Sequence, residues 1–176
     1  MRFKQYTFLI FLLSSLTTSA LRIDRAIIAS NANPTYLEFW PLVAQAWNTL
    51  TSIKPTLILI ADENVTVDTE IGDVIRFDPI PGISTAMQSQ VIRLLAPILF
   101  EDDVCLITDI DMFPTSEAQL VRPLKTICND NFVIYRFNAY PDQERIPMCY
   151  NAAKGSVFKD IFNINSIHDI PSKIKL

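Results

Sequence analysis

Val104-Cys105-Leu106-Ile107-Thr108-Asp109-Ile110-Asp111-Met112-Phe113-Pro114 is the stretch on which the fold turns. Its first half is a continuous apolar, β-rich run, the composition of a strand covered on both faces, as in parallel sheets flanked by helices. Pro114 then stops the segment, because proline has no amide hydrogen to give a ladder. Between strand and proline lie two aspartates, one residue apart. Ligands of open α/β sheets bind beyond the carboxyl ends of the strands, so Asp109 and Asp111 are delivered to the edge where a site is expected. Two close carboxylates repel unless something positive neutralises them. A divalent cation carrying a phosphorylated substrate meets that need.

The flanking sequence alternates between strand and helix patterns. Upstream, Arg25 to Ser30 reads as a short apolar strand ending in the turn Asn31-Ala32-Asn33-Pro34. Leu37, Trp40, Val43, Ala44 and Trp47 recur at helical spacing within Thr35 to Leu50, with a kink or restart expected at Pro41. Phe39, Trp40 and Trp47 are therefore expected in the core. Thr56 to Ile60 is a second strand, closed by Ala61-Asp62-Glu63-Asn64, and Asp73 to Phe77 a third. Ser84 or Thr85 can cap a helix reaching about Leu95. Downstream, a helix is expected from Ser116 to Cys128, a strand from Phe132 to Phe137, and another from Met148 to Ala152. This order predicts a single α/β domain over residues 21–176, a mostly parallel sheet with helices on both faces.

Composition narrows the chemistry. The chain has 176 residues, 49% hydrophobic and 19% charged, enough to bury a core without disulfide staples. A net charge of −4 with no cluster of Lys and Arg argues against a nucleic-acid partner. Three glycines are too few for a phosphate-gripping loop, so a metal or side chains must hold any phosphate ester. One histidine leaves no room for a Ser/His/Asp triad, and no Cys/His zinc spacing occurs. Cys105 sits inside the apolar run and reads as a small core residue; pairing of Cys128 with Cys149 cannot be read from sequence.

The N-terminus reads as a secretory leader over residues 1–20. Arg2 and Lys4 precede an apolar run from Tyr6 to Leu13, and Thr18-Ser19-Ala20 suits cleavage after Ala20. The run is short for a bilayer span, so a membrane enters only if the segment is retained as an anchor. Either way the domain is expected in the secretory pathway, secreted or lumenal, with Asn64-Val65-Thr66 as a glycosylation sequon.

Taken together, these features resemble the nucleotide-diphospho-sugar glycosyltransferases of the GT-A type. The similarity lies in the helix block Ser89-Gln90-Val91-Ile92-Arg93-Leu94, in Leu106 through Pro114 with its Asp-x-Asp, and in Met148-Cys149-Tyr150-Asn151-Ala152-Ala153-Lys154-Gly155. It follows the order of elements from Ala26 to Phe162 and is specific only around Asp109. The resemblance implies transfer of a sugar from a nucleotide-diphosphate donor to a glycan, protein or lipid acceptor, with Mn²⁺ or Mg²⁺ as cofactor. It implies that Asp111 binds the metal and that Asp109 meets the metal, the ribose, or both. Arg93 would neutralise the diphosphate or orient the sugar, Asp62 and Asn31 would help hold the nucleotide with Ala29 nearby, and Tyr150, Asn151 and Lys154 would face the acceptor. No catalytic base stands out, and His168 fits the family's C-terminal metal-ligand pattern poorly.

Two alternatives compete. A secreted, degenerate or C-terminally truncated domain would bind the nucleotide sugar or a partner without turnover, and the modest chain length favours that reading. Phosphatases of the haloacid-dehalogenase type also carry Asp-x-Asp after a strand, with the first aspartate as nucleophile. They place it on the first strand, however, and Phe113 stands where they usually carry a Thr or Val.

Overall fold

The computed structural model describes residues 20–140 and 145–175; the expected leader lies outside them except for Ala20. Four parallel strands form the body of a six-stranded sheet: β1 (Arg25–Asn31), β2 (Lys54–Ile60), β3 (Asp73–Phe77) and β4 (Val104–Thr108). The order across the sheet is β3, β2, β1, β4 and then two further strands. These are β6 (Asn151–Lys154), antiparallel to β4, and β5 (Val133–Ile134), antiparallel to β6 at the edge. The mostly parallel sheet and helices on both faces are as the sequence predicts.

Alternate residues of the buried strands feed two cores. Ala26 and Ile28 of β1 face one core with Trp40, Val43, Ala44 and Trp47 of α2 (Phe39–Leu50). Ile27 and Ala29 face the other, with Ile92 and Leu95 of α3 (Thr85–Leu95) and Phe158 of a later helix. The expected helix at Thr35 to Leu50 restarts before Pro41 rather than at it. A single turn, α1 (Pro34–Leu37), precedes α2, and Pro41 falls in the first turn of α2, where a missing N–H breaks no helical bond. Ser84 caps α3, its side chain accepting from the Met87 amide.

The edge beyond β4 departs from expectation in three places. The helix expected at Ser116 to Cys128 is only Glu117–Val121, followed by a 3₁₀ turn at Arg122–Leu124, because Pro123 cannot continue the α ladder. The strand expected at Phe132 to Phe137 shrinks to Val133–Ile134, since the chain turns at once and the Ala139 amide closes on the Arg136 carbonyl. The last strand begins at Asn151, not Met148, because Tyr150 has φ of +58°, which no extended strand accommodates. Two helices the sequence reading did not mark follow, at Gly155–Phe162 and Ile170–Ile174.

Gly155 shows how tightly the first of these packs. A Cβ there would lie 2.2 Å from the Phe100 carbonyl oxygen and 2.3 Å from that of Pro97, both fixed backbone atoms. Gly155→Ala is therefore expected to cost about 1–3 kcal/mol or more by overpacking, read as a lower midpoint in urea with unchanged slope.

The amino ends of the strands are tied by charge. Arg25, only 14% exposed at its side chain, reaches Asp73 at 2.5 Å and Asp103 at 3.0 Å, and lies 3.9 Å from the centre of the Phe100 ring. Lys54 adds a second contact to Asp73 at 2.8 Å. Burial pushes the Asp73 carboxyl up, but the hydrogen bonds and charges of Lys54 and Arg25 outweigh it and hold it below its ordinary value. A carboxyl lowered in the folded state stabilises fully above its unfolded value, about 3.9, and that contribution vanishes as pH falls through the folded value. Asp73→Asn is expected to flatten the loss of stability below about pH 4 while costing about 1 kcal/mol or less at neutral pH, as Asp73 is partly exposed. Melting temperatures of both proteins across pH 2–7 check this.

All three cysteines are free, Cys105 and Cys149 buried and Cys128 exposed. Cys105 is the core residue expected, its thiol pushed up to about 12 by burial.

Candidate functional site

The chain runs from β1 outward through β2 to β3, then returns to lay β4 on the other flank of β1. The sheet order therefore reverses between β1 and β4, and a crevice opens beyond their carboxyl ends. A cavity of about 330 Å³ occupies that position. Ala29, Ser30 and Asn31 form its β1 wall, Asp109, Ile110 and Asp111 its β4 wall. Ser89, Gln90 and Arg93 of α3 close one side, and Asn33 and Tyr36 border the other.

Arg93 and Asp109 meet here. Arg93 is buried, yet its Nη1 donates to Asp109 Oδ1, and its Nε is buried without a partner. Burial pulls the guanidinium below its ordinary value, opposed by the nearby Asp111 carboxylate and Cys149 sulfur. Asp111 is exposed. The two aspartates thus stand in different states, one held by a cation and one facing solvent.

Asn31 anchors the β1 wall. Its Nδ2 donates to Thr85 Oγ1 at 3.0 Å, tying β1 to the start of α3, and its Oδ1 accepts from the Asn33 amide at 3.2 Å. Tyr36 leaves nearly half its surface exposed (48%), unusual for so large a ring at a cavity. Ser30, Asn33, Tyr36, Ser89 and Gln90 are lining residues that the sequence reading did not single out as ligand contacts. The available signal was their place at or just beyond the end of β1, or three and four positions before Arg93 on one helix.

The other expected residues lie apart from the cavity lining. Asp62 is exposed in the turn after β2, its carbonyl accepting from the Val65 amide at 3.2 Å, one strand away from the switch point. Asn151 is buried and its amide donates to the Pro147 and Met148 carbonyls at 2.8 and 3.1 Å, so it holds its own loop. Tyr150 is half-buried on the far flank of β4, its amide bonded to the Ile107 carbonyl and its phenol raised by burial. Lys154 pairs with Val104 at the opposite, amino end of β4. His168 is exposed in the turn Ile167–Asp169, and Asn64 of the sequon is exposed.

Among the described residues no group of three or more His, Cys, Asp or Glu side chains is placed to hold a metal. Asp109 and Asp111 nevertheless suit one class of ion. Mg²⁺ and its analogues commonly bind through one or two carboxylates plus the phosphates of a substrate.

No protein-family model and no curated protein matches the chain. Among solved structures it is similar to the galactosyltransferase LgtC in complex with donor and acceptor sugar analogues, at 15% identity and a TM-score of 0.49, over 86% of this chain and 65% of that one. It is also similar to the glycosyltransferase GlyE of Streptococcus pneumoniae TIGR4, at 12% identity and a TM-score of 0.48, over 88% of this chain and 43% of that one. The apo form of GlyE gives 12% identity and a TM-score of 0.47 over the same shares. The chain thus spans less than two thirds of the length of each.

Proposed function

We propose that this chain is the donor-binding domain of a metal-dependent glycosyltransferase of the GT-A type, moving a sugar from a nucleotide-diphosphate donor to a glycan, protein or lipid acceptor. The observation that carries the reading is one juxtaposition. Asp109, Asp111 and the buried cation Arg93 converge on a cavity at the β1–β4 switch point.

Each wall then has a task. Asp111, with the free oxygen of Asp109, would hold Mn²⁺ or Mg²⁺ together with the donor diphosphate. The bound ion supplies Lewis-acid stabilisation of the charge that grows on the departing diphosphate. Arg93 supplies a fixed positive charge at the same place, already desolvated and oriented, which is how charge developing in a transition state is best met. The exposed face of Tyr36 offers a stacking surface to a nucleobase, and Asn33, Ser30 and Gln90 offer hydrogen-bonding groups to ribose or sugar hydroxyls. Tyr150 leaves the far flank of β4 for the acceptor, with Asn151 shaping the loop there. Asp62 would reach the nucleotide only from outside this cavity. The leader-like residues 1–20 assign the domain to the secretory pathway; no described helix is long and apolar enough to cross a membrane.

Calorimetric titration with UDP and GDP, with and without Mn²⁺, tests the reading. One nucleotide is expected to bind about tenfold or more tighter with the metal, a difference of about 1.4 kcal/mol. Binding that is absent for both, or indifferent to metal, overturns it. Metal-dependent binding without hydrolysis or transfer of any donor sugar would assign the domain to the non-catalytic class instead.

A further inference from the structure

We propose that Arg93 is a built-in counter-cation that keeps Asp109 from serving as a metal ligand until a diphosphate is present. The inference deepens the donor-site reading and rests on its metal-binding half. Three observations carry it. Arg93 is 9% exposed at its side chain and gives Nη1 to Asp109 Oδ1, so one carboxylate oxygen is already committed to a cation. The Arg93 Nε is buried without a partner; a buried donor left unpaired is costly, which leaves the guanidinium with spare donor capacity that an anion can satisfy. The described residues gather no third His, Cys, Asp or Glu around the two aspartates. Asp109, Asp111 and Arg93 together carry one net negative charge rather than two.

Electrostatics makes this consequential. A unit positive charge a few ångströms from a carboxylate competes directly with a divalent ion for it. In the resting protein Asp111, exposed and unpaired among the described ion pairs, is the one carboxylate open to the metal. A single carboxylate is a weak site for Mn²⁺ or Mg²⁺, which favour several oxygen ligands. A diphosphate adds oxygens for the ion and gives Arg93 an anion to answer. Arg93 is thus a positioning residue that couples metal binding to nucleotide binding.

The test uses Mn²⁺ alone on the full chain, with free ion counted by its electron paramagnetic resonance signal. Wild type is expected to bind Mn²⁺ weakly without nucleotide. Asp109→Asn, which leaves the Arg93 charge uncompensated beside Asp111, should weaken it about tenfold, and Asp111→Asn should abolish it. Arg93→Met should tighten it about tenfold or more, the scale of one unit charge removed from beside the site. Arg93→Lys, which keeps the charge, should not, and Arg93→Met combined with Asp109→Asn should return the affinity to that of wild type. Unchanged or weaker Mn²⁺ binding by folded Arg93→Met overturns the proposal. So does equal loss from the two aspartate variants, a comparison that decides the matter even if Arg93→Met does not fold. Because no nucleotide enters these measurements, their failure is distinct from failure of the donor-site reading, which the UDP and GDP titrations decide.

Discussion

Asp111→Ala is expected to abolish the metal-dependent part of nucleoside-diphosphate binding, a loss of about tenfold or more, while leaving the fold intact. The magnitude is that of the metal's own contribution to binding, about 1.4 kcal/mol or more. The fold should be indifferent because Asp111 is exposed and takes part in none of the described ion pairs. Asp109→Ala should behave differently. It strips Arg93 of its carboxylate partner and leaves a guanidinium whose side chain is 9% exposed without compensation. Breaking a buried pair by deleting one partner costs about 3–5 kcal/mol; with Asp109 itself 30% exposed, the lower end is expected. Calorimetric melting and titration of both variants, side by side, separate the two aspartates: one loses binding alone, the other binding and stability. Equal melting temperatures would show that the Arg93–Asp109 pair does not support the fold.

The largest structural effect is expected at Trp40. Its ring is 1% exposed in the core beneath β1 and β2, and its Nε1 donates to the Asp68 carbonyl at 2.8 Å. Trp40→Ala is expected to cost about 3–5 kcal/mol, the range for truncating a buried aromatic, a large part of the stability of a domain this size. Trp40→Phe keeps most of the volume and loses the hydrogen bond; about 1 kcal/mol is expected from that loss, plus a cavity cost smaller than that of alanine. The pair of variants also reports on the 62–72 connection, which the indole holds against α2. Urea unfolding should show the alanine midpoint falling several times further than that of phenylalanine. A small alanine effect would mean that the 62–72 connection collapses into the vacated space.

What could be read in advance follows from physics that is local in sequence. The continuous apolar run before Asp109 and the helical spacing around Arg93 each fix an element by its own periodicity, so β4, α3 and the Asp-x-Asp edge were legible. Which strands become neighbours is not local. Asp62 follows β2 as Asn31 ends β1, and nothing in either segment says that the order reverses beside β1 rather than β2. Only the pairing of β1 with β4 settles that, and it places Asn31, not Asp62, at the crevice. The boundary at Tyr150 was hidden for a similar reason. A non-glycine residue at φ +58° is held there by tertiary bonds, the Tyr150 amide to Ile107 and the Tyr135 amide to the Tyr150 carbonyl, rather than by its own preference. Asn151 is expected toward an acceptor only through the resemblance of its segment. Its Nδ2 donates to the Pro147 and Met148 carbonyls, and that use is set by the loop rather than by the strand.

Arg25 gives the molecule two unlike ends. At the amino ends of the strands one guanidinium fastens β3 and the turn before β4 to β1 through Asp73 and Asp103. At the carboxyl ends the walls of the cavity come from the end of β1, the turn after β4, the segment after β1 and one face of α3. Heritable change can therefore fall on the two ends unequally. Loops around the cavity can lengthen, shorten or trade residues, and with them the ligand the cavity accepts can change, without disturbing the fastening that keeps the strands in register. The end of the sheet farthest from the cavity is what leaves the cavity end free to diverge.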